Sequence, residues 1–163
     1  MTRPLVPLAL LFFALAGCMR PPANLAGKFE PITVPDAQQT PREGVAVRWG
    51  GRLVSTTPEK DQTCFEIASA PLDGRARPKA TDETFGRFLA CAPGFYEPSV
   101  YTPGREVTVV GALAGTTTGT VGQYEYTYPR VDATTVHLWP ERRAEPAGPV
   151  FFPSVGISIG GVF

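Results

Sequence analysis

Apolar and polar residues alternate over short stretches along most of the chain, which is the period of a β-strand with one buried face. Residues 45–49 and residues 124–128 show this alternation most clearly. Other apolar or β-branched stretches lie at residues 53–54, 64–67, 87–89, 106–110 and 134–139. The longest stretch without Gly or Pro, residues 59–70, has no apolar period of 3.6 residues, so we expect no dominant helix.

Glycine and proline separate these strands at short intervals, with 17 Gly and 18 Pro among 163 residues. Short strands with such turns predict an all-β fold, and we favour a small antiparallel barrel that is OB-like, with five strands. A β-sandwich with a similar number of strands is the alternative. The pair Gly50-Gly51 inside a strand pattern indicates a bulge or a sharp barrel corner.

The first residues of the chain are typical of an export signal. Residues 5–16 form an apolar run interrupted only by Pro7, too short to span a membrane but suited to a secretory signal peptide. The run ends in Leu15-Ala16-Gly17-Cys18, which resembles the bacterial lipobox, where a peptidase cuts before a cysteine that is then acylated. We predict a lipoprotein signal peptide over residues 1–17 and lipidation of Cys18. An ordinary signal peptide with a chance cysteine is the alternative.

The segment after the anchor has the composition of a spacer. Residues 18–41 contain five prolines and few large apolar groups, so we predict a lipidated N-terminus followed by a flexible, extended tether. The β-barrel domain then occupies residues 42–163. Acyl chains on Cys18 suffice for stable anchoring in membrane lipid. Met19, rather than Asp, follows the cysteine, which by resemblance to enterobacterial lipoproteins favours the outer membrane.

Two cysteines remain once Cys18 is acylated. Cys64 and Cys91 both lie in predicted strands, and an exported protein meets an oxidising compartment in which disulfides persist. A disulfide is the candidate pairing, provided that the two strands are neighbours and their register brings the Cα atoms within about 7 Å. Two buried free thiols are the alternative, because cysteine is often a small core residue.

The candidate binding face consists of three tyrosines and two arginines. Tyr124, Tyr126 and Tyr128 share one face of a strand and could stack on a sugar, a peptide or nucleic-acid bases. The alternative, which we favour, is that they pack on the barrel. Arg48 and Arg105 lie beside aromatic residues or glycine in strand patterns and could bind an anion. A buried structural network is the favoured interpretation for them.

No catalytic or metal-binding residues are predicted. Residues 156–160 match the Gly-x-Ser-x-Gly pattern of hydrolases, but that pattern needs Asp and His downstream, whereas His137 is upstream. His137 is the sole histidine, and we expect it to be structural, with no metal and no cofactor. The 15 basic and 15 acidic residues balance, which argues against nucleic acid as a partner.

A succession of short motifs resembles the Slp family of outer membrane lipoproteins, the carbon-starvation-inducible group of Gram-negative bacteria. The motifs, in order, are VRWGG at 47–51, PLD at 71–73, GRF at 86–88, YTPGRE at 101–106, TVVG at 108–111, YTYP at 126–129 and HLWP at 137–140. The Cys64 and Cys91 pair stands outside them.

This resemblance implies a lipid-anchored protein of the outer membrane that is linked to starvation or stress and has no established enzymatic activity. We therefore expect a non-enzymatic role in the cell envelope, on the periplasmic face, with envelope proteins as possible partners. The alternative is a binding module that holds a small ligand or a peptide on the tyrosine-lined face of the barrel.

Overall fold

Five strands close into a barrel in the order β1-β2-β3-β5-β4 in the computed structural model, which describes residues 19–142. The strands are β1 (Glu43–Pro58), β2 (Gln62–Ser69), β3 (Arg87–Pro93), β4 (Glu106–Val121) and β5 (Tyr124–Leu138). A 3-10 turn (Ala23–Leu25) and a short helix, α1 (Val34–Gln39), precede them.

The strand order confirms the predicted OB-like barrel and excludes the sandwich. One part of the prediction is wrong, because the barrel is mixed rather than wholly antiparallel. Residues Leu89, Ala90 and Cys91 of β3 pair in parallel with residues 130–132 of β5, whereas the other four pairings are antiparallel. Five strands in a ring cannot alternate in direction all the way round, so one parallel pair is unavoidable.

A sharp corner in β1 allows the ring to close. Gly51 pairs with Ser69 of β2 on one side and with Val107 of β4 on the other. A Cβ on Gly51 would overlap the carbonyl oxygen of Ala68, and one on Gly50 would lie 2.7 Å from the carbonyl oxygen of Val107. The glycine pair is therefore the predicted barrel corner, and the register irregularities of β1 lie elsewhere in the strand.

Strands β4 and β5 are longer than their sequence patterns indicate. The predicted stretch at residues 106–110 is only the first part of β4, which continues to Val121, where Gly122, with a φ of 60°, begins the turn into β5. Pro129 lies within β5 beside the register shift between Leu113 and Thr116, a position at which a strand tolerates proline.

The barrel interior is a continuous apolar core in which aromatic side chains meet edge to face. The ring of Trp49 lies 5.2 Å from that of Phe88. From the loop between β3 and β4, Tyr96 and Tyr101 pack on Phe65, which is fully buried. Aliphatic residues fill the rest of the interior, among them Val47, Leu53, Ile67, Ala90, Ala92, Val107, Val109, Leu113, Val131 and Ala133.

The N-terminal segment, residues 19–42, is not the flexible tether predicted from its prolines. Leu25 is completely buried, and Val34 and Ala37 are each 2% exposed and belong to the barrel core. The indole N–H of Trp49 donates to the carbonyl oxygen of Ile32 at 2.8 Å. Leu25, Ile32, Val34 and Ala37 are spaced so that they reach the rest of the fold, and burying them offsets the loss of chain freedom.

Helix α1 is stabilised at its N-terminus by two reciprocal hydrogen bonds between Thr33 and Asp36. Thr33 accepts from the backbone N–H of Asp36, and the Asp36 carboxylate accepts from the backbone N–H of Thr33, a capping box with Pro35 in the first turn. The side-chain amide of Gln38 donates to the carbonyl oxygen of Thr127 in β5 at 2.8 Å. Helix α1 therefore covers the barrel beside the first half of β5.

Cys64 of β2 lies directly opposite Cys91 of β3, and the two sulfurs are joined in a disulfide. The sequence did not determine the register of β2 and β3. In the structure this register places the Cα atoms of the two cysteines 4.1 Å apart. The bond links residues 27 apart in sequence, and closing such a loop stabilises the fold by about 3–4 kcal/mol in the chain-entropy model.

Thiol titration of the mature protein tests this cross-link. With Cys18 acylated, we expect no reactive thiol in denatured, unreduced protein and two after reduction, because Cys64 and Cys91 are then the only thiols left. The Cys64→Ser, Cys91→Ser double variant should give none under either condition. Two reactive thiols before reduction would show that the cysteines are free in the envelope.

Candidate functional site

A groove of about 460 Å³ lies between the first residues of β5 and the β2–β3 connection. We call it the tyrosine groove, and its walls are mainly apolar. It is lined by Ala68, Thr84, Gly86, Arg87, Val121, Tyr124, Glu125 and Tyr126. Among the residues predicted for the binding face, two tyrosines contribute to it directly.

The three tyrosines of β5 share one face but differ in burial. Tyr124 is 82% exposed, Tyr126 is half-buried and Tyr128 is 4% exposed. The rings of Tyr126 and Tyr128 meet at 4.7 Å. Tyr128 is therefore part of the packed barrel, whereas Tyr124 is free to contact another molecule.

Arg87, which lines the groove, belongs to a network of charged and polar side chains. A guanidinium nitrogen of Arg87 lies 2.6 Å from Oε1 of Glu66, and the Tyr128 hydroxyl lies 3.2 Å from the same oxygen. The hydrogen bond to Glu66 raises the pKa of Arg87, while burial and the Glu66 charge raise the pKa of Tyr128. Both side chains keep their usual ionisation at neutral pH, so the network holds one fixed ion pair.

Gly86 sets the distance between the groove wall and Tyr126. Its φ of 89° lies in the left-handed region, and a Cβ there would be 2.6 Å from the Tyr126 hydroxyl oxygen. That hydroxyl accepts from the backbone N–H of Arg87 at 2.9 Å. The ring of Tyr126 is thus fixed by a backbone contact that only glycine at position 86 permits.

The two predicted arginines do not join the tyrosines. Arg48 donates to the carbonyl oxygen of Leu25 at 2.8 Å, and its guanidinium lies 5.0 Å from the centre of the Phe29 ring. Arg105 donates to the carbonyl oxygens of Trp139 at 3.0 Å and Val100 at 3.3 Å. Each arginine binds a loop or segment to the barrel, and the cation in the tyrosine groove is Arg87 instead.

His137 also contacts the N-terminal segment. The side-chain amide of Asn24 lies 3.2 Å from Nδ1 of His137, whose ring packs against Trp139 at 4.5 Å. Burial lowers the pKa of His137, so the ring is neutral at pH 7 and Nδ1 can accept from Asn24. This geometry gives the histidine a structural contact.

A second ionic cluster is centred on Glu106, and its two arginines are not those that the sequence patterns singled out. Arg77 and Arg142 donate to its two carboxylate oxygens at 2.7 and 2.8 Å. Burial alone would raise the pKa of Glu106, but the hydrogen bonds from Arg142 and Arg77 outweigh it and the pKa falls below its usual value. No spacing rule links residues so far apart; only the strand order brings them together.

Within residues 19–142, no three His, Cys, Asp or Glu side chains are grouped so that they could hold a metal ion. None of the helices formed by this part of the chain has the length and apolar character needed to cross a membrane. Cys18 and the pattern at residues 156–160 lie outside the described residues.

Solved structures similar to this one include two single-stranded DNA-binding proteins. The small protein from Streptomyces coelicolor matches with a TM-score of 0.40 and 18% identity, over 60% of this chain and 95% of that chain. Mitochondrial Rim1 from S. cerevisiae matches with a TM-score of 0.36 and 18% identity, over 58% and 94%.

Three curated proteins are similar in sequence. An uncharacterized protein of Haemophilus influenzae is 35% identical over 135 residues, which cover 79% of this chain and 72% of that protein. The uncharacterized lipoprotein YeaY of Escherichia coli K12 is 32% identical, covering 66% and 64%. The outer membrane protein Slp of the same strain is 29% identical, covering 79% and 71%.

The family model for the outer membrane lipoprotein Slp family matches residues 15–155. The match spans the lipobox, the N-terminal segment and all five strands. It agrees with the motifs that run in order from Val47 to Pro140. By the extent of this match and by its named relatives, the chain belongs to the Slp family of outer membrane lipoproteins.

Proposed function

We propose that this outer membrane lipoprotein is anchored through acylated Cys18, faces the periplasm, and serves the envelope under starvation or stress through contacts rather than catalysis. The proposal of a non-enzymatic role is supported by the hydrogen bonds that ionisable side chains make within the fold. Glu66, Glu106 and His137, the groups best placed for acid–base chemistry, each bind partners inside the fold.

The ionisation of Glu106 supports the same proposal. A general acid or base needs a pKa near the working pH. The hydrogen bonds from Arg142 and Arg77 hold the pKa of Glu106 below its usual value, which moves it further from neutral pH. Glu106 is therefore ionised at neutral pH, and its carboxylate serves to join Arg77 and Arg142 to β4.

A second candidate function is the binding of a small ligand or a peptide in the tyrosine groove. Tyr124 favours it, because this large aromatic ring is 82% exposed on a strand beside mainly apolar walls. Exposed aromatic side chains are enriched where proteins bind partners, since they bury much area at little cost in freedom. Glu125 adds an exposed negative charge to the lining of the groove, whereas the charge of Arg87 is paired with Glu66.

Nucleic acid is not among the proposed partners. The DNA-binding proteins named above are similar only in overall fold. The 15 basic and 15 acidic residues of this chain leave no positive surplus to neutralise phosphates.

The anchor is tested by Cys18→Ser. Because the thioether to diacylglycerol needs the thiol, we expect the variant to remain as an unprocessed precursor without acyl groups. Mass spectrometry of the N-terminal peptide makes the measurement, with Cys64→Ser as the control that keeps acylation. A wild-type chain with an unmodified Cys18, or one cut at another residue, would contradict the proposal.

The groove is tested by Tyr124→Ala in cells that lack the native gene and are starved of carbon. Since the side chain is exposed, the free energy of unfolding should change by less than about 0.5 kcal/mol. If the groove binds a ligand or a peptide, the variant should fail to complement, whereas Phe95→Ala, at another exposed aromatic residue, should complement fully. Full complementation by Tyr124→Ala would show that the protein acts in the envelope without binding a ligand or a peptide in the groove.

A further inference from the structure

The described body of the protein begins one residue after the proposed lipid anchor. Met19 follows Cys18 directly and lies beside the β2–β3 connection, since a Cβ on Gly74 would lie 3.6 Å from the Cβ of Met19. A lipid on Cys18 would therefore be joined to the folded domain through a single peptide bond at Met19.

Gly74 belongs to a tight turn in the β2–β3 connection, residues 73–79, which we call the 73–79 turn. The backbone N–H of Asp73 donates to the carbonyl oxygen of Arg77 at 2.8 Å. The Thr108 hydroxyl of β4 donates to the carbonyl oxygen of Ala76 at 2.6 Å, and Ala76 is fully buried. The turn is thus rigidly joined to the barrel, so its orientation is that of the whole domain.

The other end of the described chain is held at the same turn. A guanidinium nitrogen of Arg142 donates to the carbonyl oxygen of Pro78 at 2.6 Å, and Arg77 donates to that of Pro140 at 2.6 Å. Beyond this point, residues 150–163 contain no charged side chain and eight apolar Val, Ile or Phe residues. The sequence that follows Arg142 thus contains an apolar stretch that favours a lipid surface over water.

Three basic side chains near the turn are exposed, those of Arg20, Arg75 and Lys79. The carboxylate of Asp73 is bound within the turn, where it accepts from the backbone N–H groups of Arg75 and Arg77 at 2.8 and 2.9 Å. Glu141, beside Pro140, adds one exposed carboxylate, so the cations are in excess. Basic residues next to a membrane are attracted by the phosphates of anionic headgroups.

We propose that the 73–79 turn, with Met19 and Arg20 beside it, is the face of the domain that lies directly on the phospholipid headgroups. The inference rests on the proposed acylation of Cys18. The lipid anchor brings this face to the bilayer, the exposed cations contact the headgroup phosphates, and the barrel is held in one orientation. The β1–β2 connection at Lys60 then lies away from the lipid, because it precedes Gln62 at the start of β2, whereas the turn follows Ser69 at the end of the same strand.

Site-specific quenching in the lipidated, full-length mature protein tests this orientation. Single cysteines replace exposed residues at three places: Arg75→Cys in the turn, and Lys60→Cys and Phe95→Cys at the opposite end of β2, where the backbone N–H of Gly94 donates to the carbonyl oxygen of Asp61. Each is labelled with a fluorophore and reconstituted into vesicles of phosphatidylethanolamine and phosphatidylglycerol that carry a nitroxide on the headgroup. Mass spectrometry of the same samples reports whether Cys18 is acylated.

We expect a large loss of fluorescence at position 75 and none at positions 60 and 95, relative to vesicles without nitroxide. Acylated protein with equal quenching at all three positions, or with stronger quenching at 60 or 95, would overturn the orientation and leave the anchor intact. Protein that carries no acyl group on Cys18 would overturn the anchor itself and, with it, this inference.

Discussion

The fold depends on the close approach of β1 to both of its neighbouring strands. β1 pairs with β2 and with β4, and the ring closes only because Gly50 and Gly51 let the backbones of those strands approach where a Cβ would collide with carbonyl oxygens. An odd number of strands then forces the parallel pairing of β3 with β5, which is confined to three residue pairs. Because this parallel pairing is so short, it leaves the core uncovered along the first half of β5. Another part of the chain must cover the core there.

The N-terminal segment supplies that cover, and this changes how the lipoprotein is held. Val34 and Ala37 complete the core, and the carbonyl oxygens of Ile32 and Leu25 are bound by Trp49 and Arg48 of β1. Residues 19–42, which separate the proposed lipid site from β1, are therefore part of the folded domain. With the proposed lipid on Cys18, this segment would restrict the orientation of the barrel, whereas a loose spacer would restrict only its distance.

Much of the fold could be predicted from strand periodicity, and the corner at Gly50-Gly51 from glycine in a strand. The segment before β1 could not, because its proline content indicates an extended chain unless the Thr33 and Asp36 capping box is weighed with it. Of the residues that line the tyrosine groove, only Tyr124 and Tyr126 were predicted to belong to a binding face. Arg48 neighbours Trp49 and Arg105 neighbours Gly104 in sequence, but strand order places both arginines elsewhere and brings Arg87 to the tyrosines.

Hydrogen exchange of backbone amides in the mature protein tests most directly whether the N-terminal segment is folded onto the barrel. The amide of Glu30 donates to Ala46 of β1, and those of Ala37 and Thr40 donate within α1 and its cap. The account predicts that these amides exchange slowly, with protection comparable to that of the β1 amides they pack against. Exchange throughout residues 19–42 at the rate of an unstructured peptide, beside a protected barrel, would contradict it.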